Sequence, residues 1–176
     1  AAILAAPPAA LPSGCLAAGL GPPVQRSTHN AAVHAVRKSV LLPYSARQMF
    51  DLVERVEDYP AFLPWCGGVS VQREGESALT ATITIAYHGL RQRFTTRNTH
   101  HAPDSISMRL VDGPFSRLEG EWRFTALREN ACKVELTLEY AFASGLLGRA
   151  LAPVFDPIAR SFIDAFVRRA DQLYGE

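Results

Sequence analysis

The sequence predicts an α+β fold: a curved antiparallel sheet of about seven strands wrapped around one long C-terminal helix. Three observations carry that expectation. From Gly67 to Phe142 the hydrophobic period is two, through six successive segments with short turns between them, each apolar on one face only. This is the pattern of an antiparallel meander with one face in water. From Ser144 to Gly175 the period becomes 3.6, with Leu147, Leu151, Val154, Phe155, Ile158, Phe162, Phe166 and Leu173 on one face. That face is too apolar for solvent, and the last two strand segments, roughly 40 Å long at ~3.3 Å per residue, are long enough to twist around it.

Length and composition set the frame. The chain has 176 residues, is 48% apolar, and has a mean hydropathy near zero, which suits one domain with one core. Its net charge of +1 provides no global field for nucleic acid, DNA included, or an anionic membrane. Cys15, Cys66 and Cys132 are few, odd in number and widely spaced, as expected of free thiols rather than a disulfide framework or metal site. Charge is unevenly placed: residues 1–34 hold one charged side chain, Arg26. That stretch is Ala- and Pro-rich, with Pro7, Pro8, Pro12, Pro22 and Pro23 blocking a continuous helix. It is expected to be a disordered leader outside the fold, with residues 35–176 forming the domain.

The elements follow in order. Ala35 to Leu42 reads as a strand with Val36, Val40 and Leu42 on one face. Ser45 caps a helix to about Val56, with Met49, Leu52, Val53 and Val56 at helical spacing. In Tyr59-Pro60-Ala61-Phe62-Leu63-Pro64-Trp65-Cys66, two prolines limit the chain to a short helical turn between Asp58 and Leu63. Strands follow through Val69 and Val71, Leu79 to Tyr87, Leu90 to Asn98, Ile106 to Leu110, Leu118 to Phe124, and Val134 to Phe142, with His88-Gly89 resetting the phase. Pro153 and Pro157 predict a broken terminal helix: a short mobile piece to about Ala152, then a main helix from Pro157 to Tyr174, capped by Asp156. Asp156, Arg160, Asp164 and Arg168 fall at steps of four, as on a solvated, ion-paired face.

Three places could carry function. The concave face holds small or polar residues, Ala81, Gln92, Thr96, Asn98 and Gly120, among Phe94, Met108, Leu110, Trp122, Tyr140, Leu147, Leu151, Phe155 and Phe162. These line either an apolar ligand slot or a filled core. Gly120 in mid-strand marks a close approach to the backbone. The aromatic stretch with Tyr59, Phe62, Leu63 and Trp65 suits a lid over a pocket mouth, or equally a hydrophobic plug. Arg91, Arg93, Arg97 and Arg109 face solvent on neighbouring strands. They form either a phosphate-binding stripe or one side of cross-strand pairing with Glu119, Glu121, Glu135 and Glu139. By alternation the inward faces carry no carboxylate or histidine; His88, His100 and His101 fall at turns or strand ends. No nucleophile motif, metal spacing or phosphate loop occurs, so neither catalytic activity nor a required cofactor is expected.

Several separated motifs together resemble a known family. Tyr44 through Val53, Asp58 through Cys66, Phe94-Thr95-Thr96-Arg97-Asn98, Gly113-Pro114-Phe115, Leu118, Gly120, Trp122 and Phe124, and Phe155 through Ala170 are similar to the coenzyme Q-binding and RatA-type START-like family. The resemblance covers residues 35–174. It implies the helix-grip (START-like) fold with an elongated apolar cavity between sheet and helix. It also implies ubiquinone or a similar isoprenoid lipid as bound ligand, carried by a lipid chaperone that touches membranes transiently and supports respiratory electron transport. The alternative it implies is a ribosome-associating toxin that binds the large ribosomal subunit and blocks subunit joining. The compartment implied is the bacterial cytoplasm, peripheral to the inner membrane, or the matrix side of the mitochondrial inner membrane in a eukaryotic member.

Overall fold

A computed structural model describes residues 32–175. Most of the expected leader, residues 1–31, lies outside the described residues. The first strand, β1 (His34–Leu42), starts one residue before the expected boundary.

Ser45 caps α1 (Ala46–Glu54) through a capping box: its hydroxyl accepts from the Gln48 N–H at 3.1 Å, and its own N–H donates to Gln48 Oε1 at 2.8 Å. Such caps contribute about 1 kcal/mol. A 3₁₀ turn (Val56–Asp58) leads into the four-residue helix α2 (Tyr59–Phe62). Pro60 fits its first turn and Pro64 follows its end, so the prolines bound this helix rather than break it. Then come β2 (Cys66–Arg73), β3 (Ala78–Tyr87), β4 (Leu90–His101), β5 (Ser105–Asp112), β6 (Phe115–Arg128) and β7 (Ala131–Phe142). All neighbours are antiparallel, in the order β1-β7-β6-β5-β4-β3-β2. The sequence pattern therefore maps onto one seven-stranded sheet. The β3–β4 hairpin turns on His88 (φ +48°) and Gly89 (φ +80°), the two left-handed residues of a type I′ turn.

The last element, α3 (Gly145–Tyr174), corrects the sequence reading. It is one continuous 30-residue helix with both prolines inside it, not a short piece and a restart at Asp156. Pro153 and Pro157 are one turn apart and both exposed, so the carbonyls of Arg149 and Pro153 that lose a donor lie on the outward face. The opposite face is held on the sheet by Leu151, Phe155, Ile158, Ile163 and Phe166, each worth about 1.5–3 kcal/mol against exposure. Tertiary packing on that scale outweighs two missing hydrogen bonds. The buried stripe also drifts: Ala159, Ala165 and Ala170 are buried, while Leu173 is 48% exposed. Nor do the charges at steps of four pair along the helix. Asp164 accepts from Lys38 of β1 at 3.0 Å, and Asp156 accepts from Tyr140 of β7 at 2.6 Å, with His34 Nδ1 at 3.4 Å. The acids clasp the sheet edge instead.

Candidate functional site

Between the sheet and α3 lies a slot, and it is nearly closed. Its main cavity is about 50 Å³. α3 contributes Phe155, Ile158, Ala159 and Phe162; the chain after α1 contributes Val56, Tyr59 and Trp65; β3 to β7 supply the floor. The lining is apolar except for Thr96 and Asn98, neighbours on the concave face of β4. Thr96 Oγ1 donates to Asn98 Oδ1 at 2.9 Å, and both residues are buried. With Oδ1 engaged, the Asn98 amide N–H₂ is the donor that this pair leaves over. A second void of about 10 Å³ sits farther along the slot between Leu90, Gln92, Pro114 and Leu151. Phe94 and Phe155 line both spaces and meet edge-to-face at 6.3 Å, so they partition the slot.

The residues singled out from sequence fall into four groups. Tyr59, Trp65, Phe94, Met108, Phe155 and Phe162 line the main cavity, and Leu151 lines the second void. Leu63, Trp122 and Tyr140 are buried in the packing around the slot without lining it. Phe62, Leu110 and Leu147 are partly buried packing residues. Gly120 does not line the slot: a Cβ there would stand 2.6 Å from the Met108 methyl and 3.2 Å from Leu138, and the residue borders an open depression with Ser107 and Arg109 instead.

Tyr59 to Trp65 forms a plug. Tyr59 donates to the Val53 carbonyl at 2.7 Å and packs edge-on to Phe166 at 5.2 Å, while Trp65 lies against Phe162 at 5.6 Å. Complete burial holds the Tyr59 phenol far above its ordinary pKa. The plug sits on the second half of α3. The front of α3 packs on Phe142 and Phe115 at the other end of the slot, away from the aromatic stretch.

Histidine placement is a second correction. His100 is a concave-face residue, 7% exposed, because the alternation of β4 runs one step beyond Asn98. Its Nδ1 lies 3.5 Å from Glu54 Oε1; Glu54 and Glu57 both accept from Arg73; its Nε2 has no partner. Burial lowers its pKa, with Glu54 opposing. An extended count of the alternation would have found this residue.

On the convex face the arginines divide. Arg97 is held by Glu74 at 2.8 Å. Among the described residues, Arg91, Arg93 and Arg109 make no ion pair within 4.0 Å. The cross-strand pairing expected for them is not formed. Glu119 and Glu139 take Arg117, Glu121 takes Arg123, and Glu135 takes Lys133, all on β6 and β7. These acids find partners on their own or the adjacent strand, and β5 lies between them and β4.

Comparison with known proteins follows this geometry. The family model described as "Polyketide cyclase / dehydrase and lipid transport" matches residues 42–167. The chain is 49% identical over 140 residues to a protein of Pseudomonas aeruginosa named "Ribosome association toxin RatA", covering 80% of this chain and 97% of that one. It is 25% identical over 142 residues to a Xenopus laevis protein named "Coenzyme Q-binding protein COQ10 homolog B, mitochondrial", covering 78% of this chain and 58% of that one. A solution structure of an 18 kDa protein from Caulobacter crescentus superposes with a TM-score of 0.63 at 36% identity, covering 81% of this chain and 99% of that one. By sequence and by its helix-gripping sheet, the chain belongs to the polyketide cyclase / dehydrase and lipid transport family, with the START-like fold.

Proposed function

We propose that this chain associates with the ribosome, at the large subunit, and hinders subunit joining by occupying a surface, in the bacterial cytoplasm. The observation that carries this reading is the near full-length match, 49% identical, to a protein named for ribosome association. The slot supports it from the other side. About 50 Å³ is far below the roughly 300–1,000 Å³ of a small-molecule site, so the fold as it stands is packed for rigidity. The action proposed is binding alone, with no chemical step and no required cofactor. Sedimentation through a sucrose gradient tests it. The purified chain is expected to travel with large subunits and to lower the yield of joined particles when small subunits are added. A chain that stays at the top of the gradient removes the reading.

A second reading rests on the cavity lining. An apolar slot with one buried polar pair, Thr96 and Asn98, suits an isoprenoid tail and a carbonyl-bearing head such as a quinone. Each buried CH₂ would contribute ~0.8 kcal/mol, but Phe94 and Phe155 would have to part first. Native mass spectrometry of the purified protein, before and after incubation with quinone-loaded vesicles, is expected to show a bound lipid under this reading. Bare protein in both samples eliminates it. No helix among the described residues is long and apolar enough to cross a membrane.

A further inference from the structure

The convex face of the sheet is electrically divided. On β1, β6 and β7 most charges pair, Arg37 with Glu139, Arg117 with Glu119 and Glu139, Arg123 with Glu121, Lys133 with Glu135, with Arg128 at the end of β6 outside any ion pair among the described residues. On β4 and β5 the outward positions carry Arg91, Arg93, Arg97 and Arg109. Their acidic company is Glu74, which is taken by Arg97 and Thr80, Asp112 opposite Thr95 at the bulge ending β5, which makes no ion pair among the described residues, and Glu119, which lies opposite Arg109 in the β5–β6 register but bonds Arg117.

Arg91 and Arg93 are exposed and flank an open depression with Thr84 and Gln92. The register places Thr84 beside Arg93 and Thr82 beside Thr95, with Thr82 and Thr95 joined by a 2.8 Å hydrogen bond. Outward side chains on one strand repeat every ~6.7 Å, close to the step between successive phosphates on a nucleic-acid strand. Guanidinium groups with hydroxyls alongside, on a rigid sheet with no interleaved aromatic ring, match phosphate oxygens rather than stacked bases.

From this charge division we infer that the β3–β5 face, centred on Arg91 and Arg93 with Arg109 at its border, docks the phosphate backbone of structured RNA. The inference rests on the ribosome reading above and names the surface it would use. Binding by this face is indifferent to sequence and sensitive to salt, because each neutralised phosphate releases counterions.

The test measures binding of the full chain to purified large subunits, and separately to protein-free large-subunit RNA, across about 50–200 mM salt. Arg91→Gln with Arg93→Gln is expected to weaken both at least tenfold and to reduce the salt slope by about 1–2. Arg117→Gln with Arg123→Gln removes the same formal charge from the self-neutralised half and is expected to change neither. Equal loss in both pairs would reduce the effect to net charge and overturn the inference. So would wild-type binding to subunits that the Arg91/Arg93 pair leaves intact, which would place the contact on a ribosomal protein or another face. If intact subunits are ignored while free RNA still binds through Arg91 and Arg93, the ribosome reading fails and the surface stands. Binding to neither sinks both.

Discussion

The Thr96–Asn98 pair gives a prediction whose sign depends on how many of its members are removed. Both side chains lie on the concave face of β4, 3% and 6% exposed, with one 2.9 Å hydrogen bond between them. Thr96→Val keeps the shape and the strand preference but strips Asn98 Oδ1 of its donor. An orphaned buried acceptor costs about 1–3 kcal/mol. At ~2.1 cal/mol/K of unfolding entropy per residue, that is a fall in Tm of roughly 3–9 °C for a folded body of this size. Asn98→Leu alone leaves the Thr96 hydroxyl facing an apolar wall, at a similar cost. The double variant removes both polar groups, and the adjoining cavity of about 50 Å³ absorbs the added bulk of Leu. Its stability is expected within about 1 kcal/mol of the parent, so with single losses of about 2 kcal/mol each the coupling is about 3–4 kcal/mol. Urea unfolding of all four proteins, with unchanged m values, measures the cycle. Additive losses would show that the hydrogen bond is not what the two residues share, and that the pair is not satisfied internally.

Four further outcomes follow from the same geometry. His88→Asn should raise stability by up to about 1 kcal/mol, since Asn-Gly is the preferred type I′ pair and His88 already sits at φ +48°; a lower Tm would contradict the turn assignment. Gly113→Ala should lower Tm by several degrees, because its Cβ would lie 2.7 Å from the Phe94 Cβ at φ +141°; an unchanged melt would mean β4 and β5 can part there freely. Pro153→Ala should stabilise α3 by about 1–3 kcal/mol by restoring a donor on its outward face; destabilisation would show that the packing of α3 on the sheet depends on the proline. Burial depresses the His100 pKa, so the unfolded chain binds the proton more tightly: stability is full above the unfolded pKa of about 6.5 and declines as pH falls below it. His100→Phe should flatten thermal melts between neutral and mildly acidic pH, and an unaltered pH profile would assign the acid loss elsewhere.

Much of the fold was legible because period and topology are local. The two-residue alternation from Leu79 to Phe142 needs no partner to be seen, and with short turns it permits little besides a meander. The slot lining was partly legible for the same reason: Phe94, Met108 and Phe155 sit at inward phases of their elements. The depth of the space was not, because whether inward side chains meet depends on how tightly the sheet curls, which no strand encodes alone. Trp122 and Tyr140 fill rather than line for that reason. His100 was missed by stopping the alternation one step early, an error of counting rather than of physics.

The sequence by itself determined the six-strand meander, the capped α1, the proline-bounded α2 and the family, because these follow from periodicity, caps and local backbone limits; that β1 closes the sheet beside β7 came from the tertiary structure. Only tertiary structure decided that α3 runs unbroken through Pro153 and Pro157, that its acids reach Tyr140, His34 and Lys38, and that the acids of β6 and β7 leave Arg91 and Arg93 outside any ion pair among the described residues. Each of these is a competition between a local preference and a long-range contact. The contact prevails where burial against the sheet is worth more than the turn of helix or the neighbouring charge it displaces.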